Sequence, residues 1–480
     1  MPERSSGSDN GNAPASTTDY GKTASFLAVG VGLTGVITYA YFLIASHTLS
    51  KPDYGQITVL WSAVFITIST LYRPIEQLLS RHISERLTRG ESINQPMRVA
   101  STIQFGLSLL FAVLALALRG PIQDSLLEGN EPLYWVFFSS VLFYAASYFA
   151  RGFLAGAQRF GLFVAMILSE SCFRTIFAVM VAIGVLSGQS AVAIGITAAP
   201  ALSLVVVPLA FKRRAQRLNQ EPGMSSASRP GMPGADEGAA TKQAGEEFSF
   251  AHGGGFAAAV LVIMFSEQAF LNAGPIIIRG LEGAAEAGFI FNVLMLARAP
   301  LQLFQSVSTS ILPHLTSLHA SKSETSEREF HKTVRMVLLG ITAFATFVGL
   351  VVLIAGPKCM QIAFGDNFTY DRAGLLLVTA GMGLYLASVT VNQAAIAQGQ
   401  VRRAAVRWIS CSAGFIAWCL LPIVSDAHRR VEVGFLLAAG VLFALLYYVY
   451  RRPRERPGDE VEPGSPEELE ARLAALDEQV

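Results

Sequence analysis

Six ionisable side chains lie inside long apolar runs of this sequence, and they are the residues most able to do chemistry. They are three arginines and three glutamates: Arg73, Glu76, Glu170, Arg174, Glu267 and Arg298. A charged side chain in the middle of a membrane helix costs roughly 2.5 kcal/mol or more in insertion assays. We therefore expect each of them to face a water-filled cavity, a charged partner or a bound ligand.

Spacing along the chain pairs four of these six residues. Arg73 and Glu76 are three positions apart, and Glu170 and Arg174 are four apart, so each pair shares one face of a helix. Either each pair neutralises itself and holds helices together, or the arginines face a cavity and bind an anion. A guanidinium suits a diphosphate because it donates two parallel hydrogen bonds. Glu76 and Glu170 are then candidates for ion coupling.

Glu267 and Arg298 have no opposite charge at helical spacing. They form a salt bridge with each other, or Arg298 binds the anion while Glu267 takes up a coupling ion, H⁺ or Na⁺, since an uncompensated charge there is costly. Amide side chains are close by in sequence. Those that could bind sugar hydroxyls, or simply join helices, are Gln268, Asn272, Gln302 and Gln305.

Prolines within the apolar runs mark possible bends. Proline removes a backbone hydrogen bond of a helix, so Pro74, Pro275 and Pro300 are candidate hinges or ordinary kinks. The histidines and four cysteines show no metal-ligand spacing, and no nucleotide-binding or catalytic-triad motif is present. The sequence therefore predicts neither a metal site nor an enzyme.

The elements that carry these residues are predicted to be membrane helices. Of the residues, 52% are hydrophobic and 15% charged, against roughly 25% charged in a soluble domain, and the mean hydropathy is +0.45. A spanning helix needs about 20 mostly apolar residues. Twelve segments qualify: 24–46, 54–79, 99–118, 133–150, 162–187, 190–211, 253–278, 287–313, 333–355, 373–396, 404–424 and 431–450.

Basic residues predict the orientation of these helices. Most of the 36 lysines and arginines fall on one side if twelve spans alternate, with both termini on that same side. Because loops rich in Lys and Arg stay in the cytosol, we expect a multi-pass protein of the cytoplasmic membrane with cytoplasmic termini. The net charge of +1 gives no indication of a nucleic-acid partner.

The chain divides into two halves of six predicted helices. A linker rich in Gly, Ala, Ser and Pro, 212–252, separates an N-lobe, 23–211, from a C-lobe, 253–450. The flanking segments are a disordered tail, 1–22, and a tail with a short amphipathic helix, 451–480. Gly55 aligns with Gly288, and the segment LAGAQRF at Leu154 with IAQGQVR at Ile396. Two copies of a six-helix unit enter the membrane in the same direction, which predicts parallel repeats with cargo between them.

Several segments resemble one family of transporters. AGFIFNVLMLARAPLQLFQSVSTSILPHLTSLHA, KPDYGQITVLWSAVF, RPIEQLLSRHISE, YFARGFLAGAQRFGLF and GPKCMQIAFGDNF are similar, in this order, to the polysaccharide flippases and exporters. That family belongs to the multidrug/oligosaccharidyl-lipid/polysaccharide exporter (MOP) superfamily, which includes the multidrug and toxin extrusion (MATE) transporters. The resemblance covers about residues 24 to 450.

The resemblance implies an all-α, MATE-like fold of about twelve helices in two lobes, with a central cavity that alternates its access and with no organic cofactor. The expected cargo is an anionic lipid-linked saccharide, held by Arg298, Arg174 and Arg73 with Asn272 and Gln302. Expected partners are membrane lipids and envelope glycosyltransferases or a polymerase. A cation-coupled drug antiporter and a non-transporting scaffold for envelope enzymes are the alternatives.

Overall fold

The computed structural model describes residues 17–208, 250–298 and 324–452, apart from Asn367 and Thr369. Both predicted tails beyond these bounds lie outside the described residues. So do nearly all of the predicted linker 212–252 and the second half of the predicted helix 287–313. The division of the chain at the linker stays a prediction.

The first half of the described chain forms seven helices. Their bounds are α1 Thr17–Thr48, α2 Lys51–Leu71, α3 Arg73–Thr88, α4 Asn94–Ala117, α5 Glu131–Gly156, α6 Phe160–Ala182 and α7 Gln189–Ser203. A short π-helix, Pro121–Leu126, lies between α4 and α5. All six predicted spans of this half are therefore helical, and α2 and α3 together form one of them.

The second half forms six further helices. Their bounds are α8 Phe250–Glu282, α9 284–298, α10 Glu324–Phe364, α11 Arg372–Ala397, α12 Val401–Leu420 and α13 Ala427–Arg451. No strand occurs within the described residues. The all-α prediction is confirmed.

Ten of the described segments are long and apolar enough to cross a membrane. Two predicted spans are absent from these ten: α9, which is described only as far as residue 298, and α12, whose 20 residues include three arginines. A bilayer offers no water to hydrogen-bond an exposed backbone, so spanning segments must satisfy their own amides. A chain of successive apolar helices meets this requirement.

The helix ends lie at two ends of the molecule, which we name by the segments found there. We call the end where residue 208 and residue 250 lie the linker end, and the other the opposite end. Side-chain caps occur where α2, α5, α11 and α13 begin, all at the opposite end: the cap residues Ser50, Asn130, Asp371 and Asp426 each accept a hydrogen bond from a backbone amide of the first turn. These caps satisfy amides that have no partner within the helix.

Asp371 also joins two elements of the opposite end. Its Oδ2 accepts a hydrogen bond from Gly374 N at 3.2 Å and from Arg429 Nη2 at 2.9 Å. Burial would raise the pKa of this carboxyl, but the Arg429 guanidinium and the amide of Gly374 hold the pKa below its usual value. The cap thus ties the start of α11 to the first turn of α13.

The span α2–α3 is interrupted at Tyr72, two residues before the predicted hinge residue Pro74. Tyr72 has φ −111° and ψ −27°, and α3 restarts at Arg73 with Pro74 in its first positions. Proline is tolerated there because the first amides of a helix have no intrahelical partner. By contrast, Pro275 lies inside the uninterrupted α8, and Pro300 is outside the described residues.

Two turns at the linker end have the same backbone pattern in the two halves of the chain. Arg159 N donates to Leu154 O at 2.8 Å after α5, and Gln400 N donates to Ala395 O at 2.9 Å after α11. In both turns the preceding residue, Gln158 or Gly399, has positive φ. This is the Schellman pattern of helix ends. This pattern makes Leu154 equivalent to Ala395, whereas the sequence alignment pairs Leu154 with Ile396.

Candidate functional site

A cavity of about 710 Å³ lies between the two lobes. The N-lobe contributes α1, α2, α3, α5 and α6, and the C-lobe contributes α8, α9 and Met382 of α11. Its lining includes Phe163 and Arg151, which lie within two turns of the linker end of their helices. The cavity therefore extends from the middle of the molecule towards the linker end.

The lining of this cavity carries more positive than negative charge. Its ionisable Arg and Glu residues are Arg73, Arg151, Arg174, Arg298, Glu76 and Glu170. Among the described lining residues, four guanidinium groups face two carboxylates, an excess of two positive charges. Five of the six come from the sequence prediction, and the structure brings them together around one space.

Glu170 is the centre of a buried cluster in the N-lobe. Its side chain is 6% exposed, and it accepts hydrogen bonds from Tyr144 Oη at 2.9 Å, Ser147 Oγ at 3.3 Å and Arg174 Nη2 at 3.0 Å. Arg151 Nη2 forms a further, short ion pair with the other carboxylate oxygen. The predicted Glu170–Arg174 pair is therefore present. With four donors, this carboxylate is saturated, so it has little remaining capacity to bind a coupling ion.

Arg174 is held by groups from three other helices, the first of which is Thr38 of α1, whose Oγ1 accepts a hydrogen bond from Arg174 Nη1 at 3.4 Å. Its guanidinium carbon lies 4.5 Å from the centre of the Trp61 ring, and its Nη2 also donates to Tyr144 Oη at 3.1 Å. The Nε atoms of Arg174 and Arg151 are buried and make no hydrogen bond within the described structure. Both arginines are thus positioned by the protein while part of their donor capacity is unused.

Arg73 and Glu76 both line the cavity but do not form a direct salt bridge in the described structure. Glu76 lies within electrostatic range of Arg151 and of Arg73. Arg73 and Glu76 therefore do not neutralise each other through a salt bridge, and they interact only at longer range. Both side chains remain half-buried, in contact with the cavity.

The predicted salt bridge between Glu267 and Arg298 is not what the structure shows. Glu267 acts electrostatically on Arg73 of α3, across the two lobes, and this attraction exceeds that of Glu76 on Arg73. Arg298 instead lies within range of Tyr385 and Arg73. Arg73 belongs to the other half of the chain, so helical spacing gives no indication that Glu267 would act on it. Glu267 is half-buried and is not itself among the lining residues.

The predicted sugar-binding amides have mixed outcomes. Asn272 lines the cavity, and its Nδ2 donates to the backbone oxygen and to Oε1 of Gln268, each at 3.1 Å. Gln268 lines the cavity as well. Gln302 lies outside the described residues. No group of three or more His, Cys, Asp or Glu residues in the described ranges could hold a metal ion.

Arg151 is the cavity residue that sequence reasoning missed, because its position at the end of an apolar run is typical of a loop. A periodic signal was available. Tyr144, Tyr148 and Arg151 follow one another at four and three positions, so they share one helix face, and all three line the cavity.

Close backbone contact seals the cavity at the opposite end. A Cβ atom on Gly55 would lie 1.7 Å from Ala284 O, and one on Gly288 would lie 3.3 Å from the Cα of Gly55. The hydroxyl of Tyr54 donates a short hydrogen bond to Oδ1 of Asn292. The lobes meet here through α2, the end of α8 and the start of α9.

A polar contact reinforces this seal. Arg279 of α8 donates a short hydrogen bond to Ser125 O in the π-helix, and its Nη2 is 3.8 Å from Glu128 Oε1. Glu128 in turn accepts a hydrogen bond from Gln56 Nε2 at 2.6 Å. The cavity is therefore closed at the opposite end by contacts of both lobes.

Comparison with known proteins identifies the fold. No family model matches the chain. An uncharacterized protein of Mycobacterium tuberculosis, Rv3630, is 23% identical over 437 residues, which cover 88% of this chain and 92% of that protein.

Solved structures of transporters share the architecture. The MATE multidrug transporter DinF-BH, solved as a ligand complex, has a TM-score of 0.59 and 16% identity, covering 91% of this chain and 97% of its own. An inward-facing multidrug resistance MATE family transporter of the MOP superfamily has a TM-score of 0.58 and 10% identity, covering 89% and 97%. The eukaryotic MATE transporter AtDTX14 has a TM-score of 0.57 and 14% identity, covering 91% and 96%. The chain therefore has the two-lobed, all-helical fold of the MATE transporters and is a multi-span membrane protein.

Proposed function

We propose that this protein is a flippase or exporter that moves a lipid-linked oligosaccharide or polysaccharide precursor across the cytoplasmic membrane. The observation that carries the proposal is the cavity between the lobes, where four arginines outnumber two glutamates among the described lining residues. A cavity of about 710 Å³ falls within the range of roughly 300–1,000 Å³ typical of ligand sites. It accommodates a charged head group while the lipid chain stays in the bilayer.

The arginines are arranged to bind a diphosphate between the lobes. Arg73 comes from the N-lobe and Arg298 from the C-lobe, and they are close enough to repel each other. An anion placed between them would relieve this repulsion and receive forked hydrogen bonds. Arg174 and Arg151, fixed by Glu170, supply further positive charge beside it.

The difference between the two ends of the cavity supports a mechanism of alternating access. The cavity reaches the linker end and is sealed at the opposite end by Gly55 and Gly288. With the linker in the cytosol, as the basic loops predict, this is an inward-facing state that receives cargo from the cytoplasmic side.

A cation-coupled drug antiporter is the second candidate, and one observation favours it. Glu76 and Glu267 make no direct ion pair within the described structure, so they are available to a cation. Two of the solved structures that share the fold are described as multidrug transporters. A scaffold without transport would not require a charged cavity of this size.

Transport of a defined cargo would test the proposal. The purified protein is reconstituted into vesicles with a fluorescent polyprenyl-diphosphate disaccharide, and movement between leaflets is followed by chemical quenching. We expect transport by the parent, none by Arg298→Ala, and strongly reduced transport by Arg298→Lys, because lysine keeps the charge but lacks the fork.

The matched control is Arg81→Lys, since Arg81 is an exposed residue of α3 outside the cavity, and it should transport like the parent. A fluorescent organic cation of the rhodamine type serves as the competing cargo in the same vesicles. Transport of this cation without movement of the diphosphate lipid would contradict the flippase and support the antiporter.

A further inference from the structure

A second basic site lies at the linker end of the C-lobe, away from the cavity. The start of α12 and the end of α13 meet there, and they carry five arginines: Arg402, Arg403, Arg407, Arg451 and Arg452. Neither segment contributes to the cavity lining. Residues 398–420 and 433–452 contain no Asp or Glu, so these helices supply no counter-charge of their own.

One flank of α12 faces α13. Gln400 Nε2 donates to Val449 O at 3.2 Å, and Arg403 Nη1 donates to Arg452 O at 3.4 Å. Arg407 lies four positions after Arg403, so it shares this flank. We call the space between Arg407 and the end of α13 the α12–α13 groove.

Arg407 lies deeper than the other four arginines. It is six residues into α12, which is about 9 Å along the axis, and it is half-buried. Its Nε is buried without a hydrogen-bond partner, and its guanidinium forms no ion pair with a described residue. An uncompensated guanidinium at the apolar edge of a membrane is costly, so a counter-anion from outside the described helices would stabilise it.

The flank beyond Arg407 is open. Gly414, seven positions further along the same flank, has no atom within 4 Å of the place where a Cβ would be. Tyr448 and Val441 of α13 are each 52% exposed. A hydrocarbon chain can therefore lie along the helices directly above the guanidinium, in the direction of the membrane centre.

We propose that the α12–α13 groove binds an anionic phospholipid, with its phosphate on Arg407 and its acyl chain beside Gly414. Phosphate accepts the two parallel hydrogen bonds that a guanidinium donates. Basic residues near a membrane surface attract anionic lipid, and the groove adds a fixed position to that general attraction. The lipid is a structural ligand and not the transported cargo, because the groove is separate from the cavity.

Lipid binding to the full-length protein would test this site. The protein in detergent micelles is supplied with phosphatidylglycerol or phosphatidylcholine, and bound lipid is counted by native mass spectrometry while the Tm is measured in parallel. We expect phosphatidylglycerol to bind and to raise the Tm of the parent. In Arg407→Gln, binding should fall roughly tenfold, the effect of losing one charge-assisted hydrogen bond.

Two further variants separate a specific site from general charge. Arg402→Gln is the matched control: Arg402 is exposed and lies roughly 140° around α12 from Arg407, so this variant should bind like the parent. Arg407→Lys should show an intermediate loss. An equal loss in Arg402→Gln, or full binding by Arg407→Gln, would overturn the proposal.

Two other anion sources are distinguished in the same experiment. Inorganic phosphate should not reproduce the rise in Tm, since it lacks the acyl chain; if it does, the site binds phosphate and not lipid. The acidic segment 453–480 is the other possible occupant. If phosphatidylglycerol binds only after this segment is removed, the segment occupies the groove in the intact chain and the lipid assignment is wrong.

Discussion

At the scale of single residues, the charges of the cavity fall into two kinds. Glu170 is saturated by Tyr144, Ser147, Arg151 and Arg174, whereas Glu76 and Glu267 have no direct ion pair within the described structure. Buried pairs of the first kind fix the shape of a site. Carboxylates of the second kind are the candidates for binding a proton or a cation under the proposed function.

Arg174→Ala should destabilise the protein by about 3 kcal/mol, because it removes one partner of a buried carboxylate. Chemical unfolding in detergent micelles measures the change. The matched control is Arg81→Ala, whose pair with Glu85 is exposed and should cost less than about 1 kcal/mol. Arg174→Ala/Glu170→Gln should recover part of the loss, and equal effects of the two single variants would contradict the structural role.

Glu267→Gln should transport cargo without dependence on a pH or Na⁺ gradient, because it removes the charge that acts on Arg73 across the lobes. Vesicles with imposed gradients measure this. Glu286→Gln, a half-buried glutamate at the opposite end, is the control and should keep the dependence.

The double variant Arg73→Met/Glu267→Gln tests the pairing itself. It should be more stable than Arg73→Met, which leaves Glu267 without its attractive partner. If Glu267→Gln responds to the gradient as the parent does, then Glu267 is structural. Glu76 is the next candidate, since Glu170 is already saturated with donors.

At the scale of elements, the contact of α2 with α8 and α9 is expected to keep the opposite end closed. Gly55→Ala should shift the protein towards the state that is open at that end, because its Cβ would lie 1.7 Å from a backbone oxygen. Spin labels at the exposed residues Asp124 and Glu282 measure the separation of the lobes. The control is Gly106→Ala, which has open space around it; an unchanged distance in Gly55→Ala would show that the seal lies elsewhere.

Sequence patterns predicted the elements better than the contacts between them. Apolar runs and Pro74 located the spans and the interruption at Tyr72, because those are local properties of the chain. The register of the repeat was wrong by one position at Leu154, since Gln158 adopts the positive φ that Gly399 adopts in the other lobe, and no glycine marks it.

The charged residues of the cavity show the same difference between local patterns, which the sequence predicted, and contacts between helices, which it did not. Helical spacing correctly predicted Glu170 with Arg174, which lie on one helix. It could not predict the ion pair of Arg151 with Glu170 or the longer-range effect of Glu267 on Arg73, because both depend on how separate helices pack.

At the scale of the whole molecule, the linker end should face the cytosol, because the loops on that side hold most of the basic residues. Single cysteines in a cysteine-free background, treated in intact cells with an impermeant thiol reagent, test this. A cysteine at Asp124, exposed at the opposite end, should be labelled, and one at Ser225 in the linker should be protected. The reverse pattern would invert the orientation.

The contact between Gly55 and Gly288 has a consequence for the origin of the protein. The alignment of the two halves predicts equivalent positions for these residues, and a Cβ on Gly288 would lie 3.3 Å from the Cα of Gly55. If the predicted repeat arose by duplication of a six-helix unit that formed a homodimer, the corresponding glycine would have met its own copy near the symmetry axis. One mutation in that gene would have introduced two facing side chains at once, whereas after duplication each half could change this position alone.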